Sequence, residues 1–519
     1  MSKPFLTQSL HAARRQHPQR GATVFNGRRT SYEDFGSRVS CAANGLRQRG
    51  VGAGDRIGIL SLNSDRYLEV FFAVWWSGGV VNPVNVRWSA HEIAYSLDDC
   101  GTSVLFVDER FAALVPELVQ LSSCLKTIVY IGDSAAPPGM YGYEQLIAEN
   151  QPCDDAQRGG DDLAGIFYTG GTTGLPKGVM LSHANLYGAA MSGLAEGLVD
   201  EGDVVLHVAP MFHLADGILG IMGFMRACTH VVVPRFATEL VLAAIQDEGV
   251  TNTLLVPTMI QMLIDDPQLS RYRLGSLKRL LYGASAINEA VLERAIARLP
   301  GVEFVQLYGQ TEMSPFVSVL KHERHVGPNN KLRSAGRPLV GIEAIIVDSD
   351  GLELPRNQVG EIATRGAGAM LGYWNKPEQT LAAMGSGWIR SGDGAYIDDD
   401  GFLFVVDRLK DMIVSGGENV YSAEVENAIS RHSAVLACAV IGIPNERWGE
   451  SVHAVVVIRP GVTAPSADDI RQHCQSLIAG YKCPRSVEFR DSLPLSGAGK
   501  VLKIELRAPY WRDATRRVA

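Results

Sequence analysis

The eleven residues from Tyr168 to Gly178 carry four glycines, three threonines and a single lysine. Glycines let backbone N–H groups close around an anion. Threonine hydroxyls add hydrogen-bond donors and a lysine adds a point charge. Apolar Ile166-Phe167 precedes the segment and Val179-Met180-Leu181 follows it, so it reads as a loop between two strands. The composition suits a polyphosphate. The order Lys177-Gly178, leading into a β-like run, excludes the Gly-Lys-Ser/Thr loop that opens a helix. Alone, such a loop is as often a plain surface turn, and the rest of the chain has to decide.

Five further segments carry residues of chemical interest: Tyr308-Gly309-Gln310-Thr311-Glu312, Ser391-Gly392-Asp393, Asp407-Arg408-Leu409-Lys410-Asp411, Ser415-Gly416-Gly417-Glu418-Asn419 and Gly499-Lys500. Each has an ordinary explanation when taken singly. Glu312 could be a carboxylate at a helix start. Asp393 is a turn former, and Lys500 a surface lysine in a glycine-rich loop. Their common order along one chain carries more weight than any one of them.

The elements that must position these residues follow from the pattern of the chain. At 519 residues it exceeds one core, so two or more domains are expected. With 46% hydrophobic and 20% charged residues the composition is that of an ordinary globular protein. The net charge of −8 gives no footprint for nucleic acid. The eight cysteines are scattered with no Cys-x-x-Cys, which predicts free thiols in a reducing compartment rather than a zinc site or a disulfide framework. The most apolar run, Val70 to Val81, is broken by Ser77-Gly78-Gly79 and falls short of a membrane span of about 20 residues. The N-terminus has no apolar core of a secretory signal, so a cytoplasmic protein is expected, with peripheral membrane contact left open.

Strands alternate with helices from residue 22 to about 307: strand 57–60, helix 65–76, strand 80–86, helix 90–98, strand 103–107, and again from strand 204–208 onward. That alternation implies parallel sheets covered on both faces. Ligands of such sheets sit beyond the carboxyl ends of the strands, where segments 169–178, 283–286 and 308–312 would meet. From Ser334 short strands between Gly/Asp/Asn turns suggest a β-rich subdomain. A compact α+β unit follows the charged knot at 407–411. The expected fold is therefore α/β: a large N-terminal domain of doubly wound sheets with a β-rich subdomain (1–407), a hinge at 408–411, and a small mobile α+β C-terminal domain (412–519).

Taken together, these motifs resemble those of the adenylate-forming enzymes: acyl- and aryl-CoA synthetases, carrier-linked adenylation domains and beetle luciferases. The resemblance covers nearly the whole chain in the family's order, and the stretch from Asp407 to Tyr421 is most similar to bacterial fatty-acyl-CoA synthetases. It departs at Gly170, where serine is common. It implies attack of a carboxylate on the α-phosphorus of ATP, with catalysis by charge neutralisation and in-line positioning. On that reading Thr169, Gly170, Gly171, Thr172, Thr173, Gly174 and Lys177 hold the β- and γ-phosphates, and Glu312 holds Mg²⁺. Thr311 contacts the α-phosphate, and Lys500 bridges it to the substrate carboxylate. Asp393 and Arg408 take the ribose, while Tyr308, Gly309, Gln310 and Gly283-Ala284-Ser285 border the adenine. The C-terminal domain would then swing about Lys410, with Gly416, Gly417 and Glu418 admitting the pantetheine arm of coenzyme A and Asn419 near the nucleotide phosphate.

Pro210-Met211-Phe212-His213 resembles the family's acyl-site mouth, with His213 as carboxylate contact or gate, against an ordinary packed histidine. Leu214, Ala215, Gly217, Thr258, Met259, Met262, Met313 and Phe316 are the pocket candidates. Asp216 is either a polar contact or solvent-facing. Small residues and adaptable methionines favour a medium- or long-chain fatty acid. The rivals are an aryl-CoA ligase for cinnamate-like acids, loading of a carrier protein, and a non-catalytic nucleotide-binding homologue. A monomer and a homodimer fit equally.

Overall fold

The computed structural model describes residues 3–169, 175–385, 387–496 and 500–511. Among these, the strands form four sheets. In the first, Val80–Pro83, Arg56–Leu60, Val104–Val107, Thr127–Tyr130 and Tyr141–Gly142 run parallel from Leu163–Thr169, which pairs antiparallel with Lys177–Ser182 on its other side. In the second, Glu303–Tyr308, Arg279–Gly283, Asn252–Leu255, Val204–His207, Thr229–Val232 and Gly21–Phe25 are parallel neighbours. The third sheet is antiparallel, from Ile342–Val347, Gly360–Gly366, Ile389–Ile397 and Leu403–Arg408. The fourth, beyond residue 412, has Gly449–Ile458 at its centre, Val435–Asn445 at one edge and the Ile413–Ser415/Glu418–Val420 hairpin at the other. The architecture is thus the expected α/β fold, with a large N-terminal region of parallel sheets and an α+β C-terminal region.

Helices between the sheets carry the principal core. Asp65–Ser77 is capped by the Ser64 hydroxyl, which accepts from Tyr67 N, and ends at left-handed Gly78. Every residue of this helix is buried, which is why its sequence is apolar nearly all round. It shares one hydrophobic cluster with Leu214–Met225 and with Met313 and Phe316.

The Leu214–Met225 helix is the main element that the sequence pattern does not announce. Gly217, Gly220 and Gly223 lower its helix propensity and blur its period, and burial overrides both. The His183–Ala195 and Pro257–Asp265 helices are likewise additions to the sequence reading, and the elements that were expected follow in order within a few residues. All eight cysteines are free. No helix among the described residues is long and apolar enough to cross a membrane.

Candidate active site

Two parallel neighbours bring the first pieces together. Arg279–Gly283 and Glu303–Tyr308 end side by side, with Gly283 opposite Leu307. The chains approach so closely there that a Cβ at Gly283 would lie 2.0 Å from the Leu307 carbonyl oxygen, and one at Gly309 would lie 1.9 Å from that of Pro315. Only glycine permits this, which gives both positions a steric reason. Beyond Gly309 the chain makes a single 3₁₀ turn, Thr311–Met313, closed by Ser314 in the left-handed region. Met370 N donates to the Glu312 carbonyl oxygen at 2.9 Å, and the Ser314 hydroxyl to the Gly368 carbonyl at 2.7 Å. Thr311 and Glu312 are therefore held from two sides, half-buried at the carboxyl edge of the sheet.

Lys177 reaches the same place from the first sheet. It opens the Lys177–Ser182 strand opposite Thr169, so the phosphate-type loop joins two strands as expected. Its residues Gly170, Gly171, Thr172, Thr173 and Gly174 lie outside the described residues. Tyr373 links the two edges: its hydroxyl donates to Glu312 Oε1 at 2.9 Å, and Lys177 Nζ stands 4.8 Å from its ring centroid. Burial, and then the Glu312 charge, holds that hydroxyl protonated far above its ordinary range. The base of the loop is fixed by Tyr168, which donates to Asp99 Oδ2 at 2.6 Å, while Trp374 Nε1 donates to the Asp99 carbonyl.

Asp393 sits on Ile389–Ile397 directly opposite Arg408 on Leu403–Arg408. Its carboxylate accepts from Arg408 Nε at 2.7 Å on one oxygen and from the Tyr308 hydroxyl at 2.6 Å on the other. Burial raises its pKa above the usual carboxylate range, opposed by Arg408, the Tyr308 hydrogen bond, Lys500 and Lys410. Tyr308 is thus committed through its hydroxyl to Asp393, and its ring is what remains to border a base.

Lys500 enters from the C-terminal region. A small loop is closed by Ser496 N donating to the Lys500 carbonyl and Lys500 N donating to Ser496 Oγ. Arg87 Nη1 of the N-terminal region donates to the Ser496 carbonyl at 2.7 Å, tying that loop down across the cleft. Behind it, Lys503 Nζ donates to Ser422 Oγ and pairs with Glu426 at 2.7 Å. Enclosure in the cleft lowers the Lys500 ammonium to about 8; Arg408 and Lys410 push the same way, and Asp393 and Glu312 oppose. Four of the sequence motifs therefore converge on one electrostatic site: Glu312, Asp393, Arg408 and Lys500.

Other expectations fare differently. Ala284 is exposed with φ +68°, and Ser285 half-buried, at the rim after Gly283. Gln310 is half-buried just before the 3₁₀ turn. Gly416 and Gly417 form a two-residue hairpin turn with φ +64° and +84°, with Trp448 against the first. Glu418 and Asn419 are exposed on the following strand. Leu214, Ala215 and Gly217 form the first turn of the Leu214–Met225 helix, with His213 as its N-cap, its ring 4.2 Å from that of Phe212 and tilted by 43°.

Thr258 and Met259 begin the Pro257–Asp265 helix, where Met259 packs on the core of the second sheet. Met262 does not line a pocket: it is 56% exposed, because the helix turns that face outward. Asp216 does not face solvent: it is 1% exposed. Tyr373, Arg87 and the Lys503–Glu426 pair were not singled out from sequence. Tyr373 lies 61 residues from its partner Glu312, and its flanks Gly372 and Trp374 were the one local signal available.

The comparisons with known proteins agree with this geometry. The family model described as AMP-binding enzyme matches residues 10–374, and the AMP-binding enzyme C-terminal domain matches residues 424–500. A fatty acid–[acyl-carrier-protein] ligase, ScoC of Streptomyces coeruleorubidus, is 36% identical over 517 residues, covering 99% of this chain and 97% of its own. A feruloyl-CoA synthase of Amycolatopsis sp is 39% identical over 497 residues, covering 96% and 97%. Among solved structures, o-succinylbenzoate CoA synthetase (MenE) of Bacillus subtilis, in complex with its acyl-adenylate intermediate, superposes with a TM-score of 0.85 at 28% identity, covering 100% and 99%. With its two regions matched in order and its site motifs converging on one cleft, the chain belongs to the AMP-binding enzyme family.

Proposed function

We propose that the protein is an AMP-forming acid–thiol ligase that activates a carboxylic acid with ATP and passes the acyl group to the thiol of coenzyme A. In the first step a substrate carboxylate oxygen bonds to the α-phosphorus, and the bond to pyrophosphate breaks. In the second, a thiolate sulfur bonds to the acyl carbon and the carbon–oxygen bond to AMP breaks. The observation that supports this best is Lys500, delivered from the C-terminal region into a cleft with Glu312, Asp393 and Arg408.

Each residue has a task that its surroundings suit. Lys177, Thr169 and the loop between them neutralise the departing pyrophosphate. Thr311 orients the α-phosphate, and Lys500 sits between that phosphate and the incoming carboxylate as charge develops. Asp393, kept in place by Arg408 and Tyr308, accepts from ribose hydroxyls. Glu312 offers one carboxylate beside the phosphates, which suits Mg²⁺, an ion that takes few protein carboxylates and completes its shell with phosphate and water. Among the described residues no group of three or more His, Cys, Asp and Glu could hold a metal by itself, consistent with an ion that arrives with the nucleotide.

The C-terminal region, 412–519, then rotates about 408–411 with Lys410 as pivot, withdrawing Lys500 and bringing the Gly416–Gly417 hairpin toward the thiol path. A medium- or long-chain fatty acid is the leading substrate, in line with the fatty-acid ligase among the relatives. The feruloyl-CoA synthase at 39% identity favours an aryl acid as the second reading, and the first relative's name keeps a carrier-protein thiol as the alternative acceptor. Free cysteines fit a reducing cytoplasm.

Pyrophosphate release with straight-chain and aryl acids, with coenzyme A or a pantetheinylated carrier protein added, separates these readings. Fatty acids with coenzyme A should be turned over best. Release with no acid of either class would remove the ligase reading.

A further inference from the structure

The residues from Met370 to Trp374 cross between the two edges of the cleft and are tied to both. Met370 N donates to the Glu312 carbonyl oxygen at 2.9 Å. Leu371 N then donates to the Met180 carbonyl at 2.9 Å and Trp374 N to that of Gly178 at 2.8 Å, both on the strand that Lys177 opens. Gly372 pairs with Met180 and Tyr373 with Val179 in antiparallel register. Gly372 takes φ +139°, and a Cβ there would stand 2.8 Å from the Thr380 methyl, so the crossing favours glycine. Tyr373 N donates to Thr380 Oγ1 at 2.9 Å, on the Pro377–Met384 helix that follows. The backbone of Tyr373 is therefore fixed independently of its side chain.

That side chain meets a charged group on each edge. The hydroxyl donates to Glu312 Oε1 at 2.9 Å, and the ring centroid lies 4.8 Å from Lys177 Nζ. A phenol is an O–H donor throughout the ordinary pH range. A hydrogen bond on Oε1 sets the rotation of the Glu312 carboxylate and commits one of its two oxygens. The group is then placed to meet an ion through Oε2 rather than to straddle it with both. That distinction separates divalent ions. Mg²⁺ holds its ligands in a near-ideal octahedron, and the two oxygens of one carboxylate are too close together to span an octahedral edge. Ca²⁺ is larger, takes more oxygens in flexible geometry and accepts carboxylates in either mode.

We propose that Tyr373 is a positioning residue for the metal-bound nucleotide: by holding Glu312 Oε1 it restricts that carboxylate to one-oxygen ligation, and so sets a preference for ATP carrying a small octahedral ion over ATP carrying a larger one. The inference rests on the acid–thiol ligase reading, in which Glu312 meets the ion that ATP brings. A carboxylate released from Tyr373 could turn to straddle a larger ion, and the discrimination would relax. The ring acts alongside the hydroxyl: it keeps Lys177 beside the same tyrosine that orients Glu312. One side chain thus spaces the group that receives pyrophosphate from the group that receives the ion.

The test is equilibrium binding of ATP to the full chain by calorimetry, in saturating Mg²⁺ or saturating Ca²⁺, with no acid present so that no adenylate forms. The wild type should bind ATP more tightly with Mg²⁺, by about 10-fold or more, the scale on which a partner behind a metal ligand acts. Tyr373→Phe keeps the ring beside Lys177 and removes the donor, and it should collapse most of that ratio. Thr380→Val releases the Tyr373 amide while leaving ring and hydroxyl in place. It should move the ratio the same way, and it decides if Tyr373→Phe does not fold. A tyrosine that only packs would cost affinity equally with both ions. Equal losses that leave the ratio unchanged, or a wild type with no preference, would overturn the inference and leave the ligase reading standing. A wild type that binds ATP with neither ion would remove the ligase reading and this inference with it.

Discussion

Lys500 carries the sharpest expectation at the scale of single residues. On the proposed mechanism, replacing it by alanine removes the cation that meets charge on both the carboxylate and the α-phosphate. Adenylation should fall by about 100- to 1000-fold, the usual cost of a preorganised charge-stabilising group. Thioester formation from preformed acyl-AMP should persist, and equal loss in both half-reactions, measured separately, would refute the division of labour. The same lysine sets a pH dependence. Its folded-state value of about 8 lies below the ordinary 10.5, so the neutral form gains ground as pH rises through 8. The kcat/KM for adenylation should therefore decline on the alkaline side with an apparent pKa near 8, and Lys500→Arg should remove that limb. For stability the sign is the reverse. Holding the ammonium in the cleft is unfavourable, most so below about pH 8, and the penalty fades as pH approaches the unfolded value of 10.5. Tyr308→Phe is a milder case. It takes one hydrogen bond from buried Asp393, and the KM for ATP should rise about 5-fold, a loss of roughly 1 kcal/mol. An unchanged KM would show that Arg408 alone suffices to orient the carboxylate.

Elements explain why the residues meet, and they mark how far the sequence could be read. The alternating strands and helices were legible because apolar periodicity is local, and so was the strand–loop–strand at 163–182. The phosphate-type loop and the 308–312 segment were legible because each follows a strand end, where glycine and small polar residues stand out, whereas Ser391-Gly392-Asp393 lies within a strand and was legible by its residue types alone. The Leu214–Met225 helix was not, since its three glycines obey the demands of packing rather than propensity. Asp216 is open in the sequence between a polar contact and a solvent-facing position for the same reason. A carboxylate in an apolar run has no local sign of the two histidines, from different strands, that hold it. Tyr373 depends on a two-residue strand pairing across nearly 200 residues, which no window of sequence contains. At this scale Gly309→Ala is the informative change. Its Cβ would fall 1.9 Å from the Pro315 carbonyl, a backbone atom that cannot swing aside. The 3₁₀ turn must shift, carrying Thr311 and Glu312 with it. Overpacking of this kind costs about 1–3 kcal/mol, so the melting temperature should drop and adenylation fall by more than 10-fold. A variant with unaltered kinetics would show that the turn tolerates movement.

At the scale of the whole molecule, the position of Lys500 depends on a seam between the two regions rather than on the lysine alone. Glu289 accepts from Arg431 of the C-terminal region at 2.9 Å and also from Arg333, while Asn288 meets Ser430 alongside. Gln261 donates to the Leu436 carbonyl, and Arg87 holds the Ser496 carbonyl on the far side of Lys500. These contacts are polar and partly exposed, which gives each a small worth of about 0–1 kcal/mol. That suits a surface that must release. If the region beyond 412 rotates between half-reactions, every one of these bonds belongs to the lysine-inserted arrangement and none need survive in the other. Glu289→Gln should then shift the population away from that arrangement, slowing adenylation by about 2- to 5-fold while leaving thioester formation from preformed acyl-AMP unchanged or faster. Arg87→Ala should act in the same direction, because it frees the loop that carries Lys500 without touching the N-terminal site residues. Single-turnover rates of the two half-reactions distinguish this from a general loss of stability, which would slow both. A parallel decline in both rates, for both variants, would mean that the seam holds the fold together and does not govern which chemistry the cleft performs.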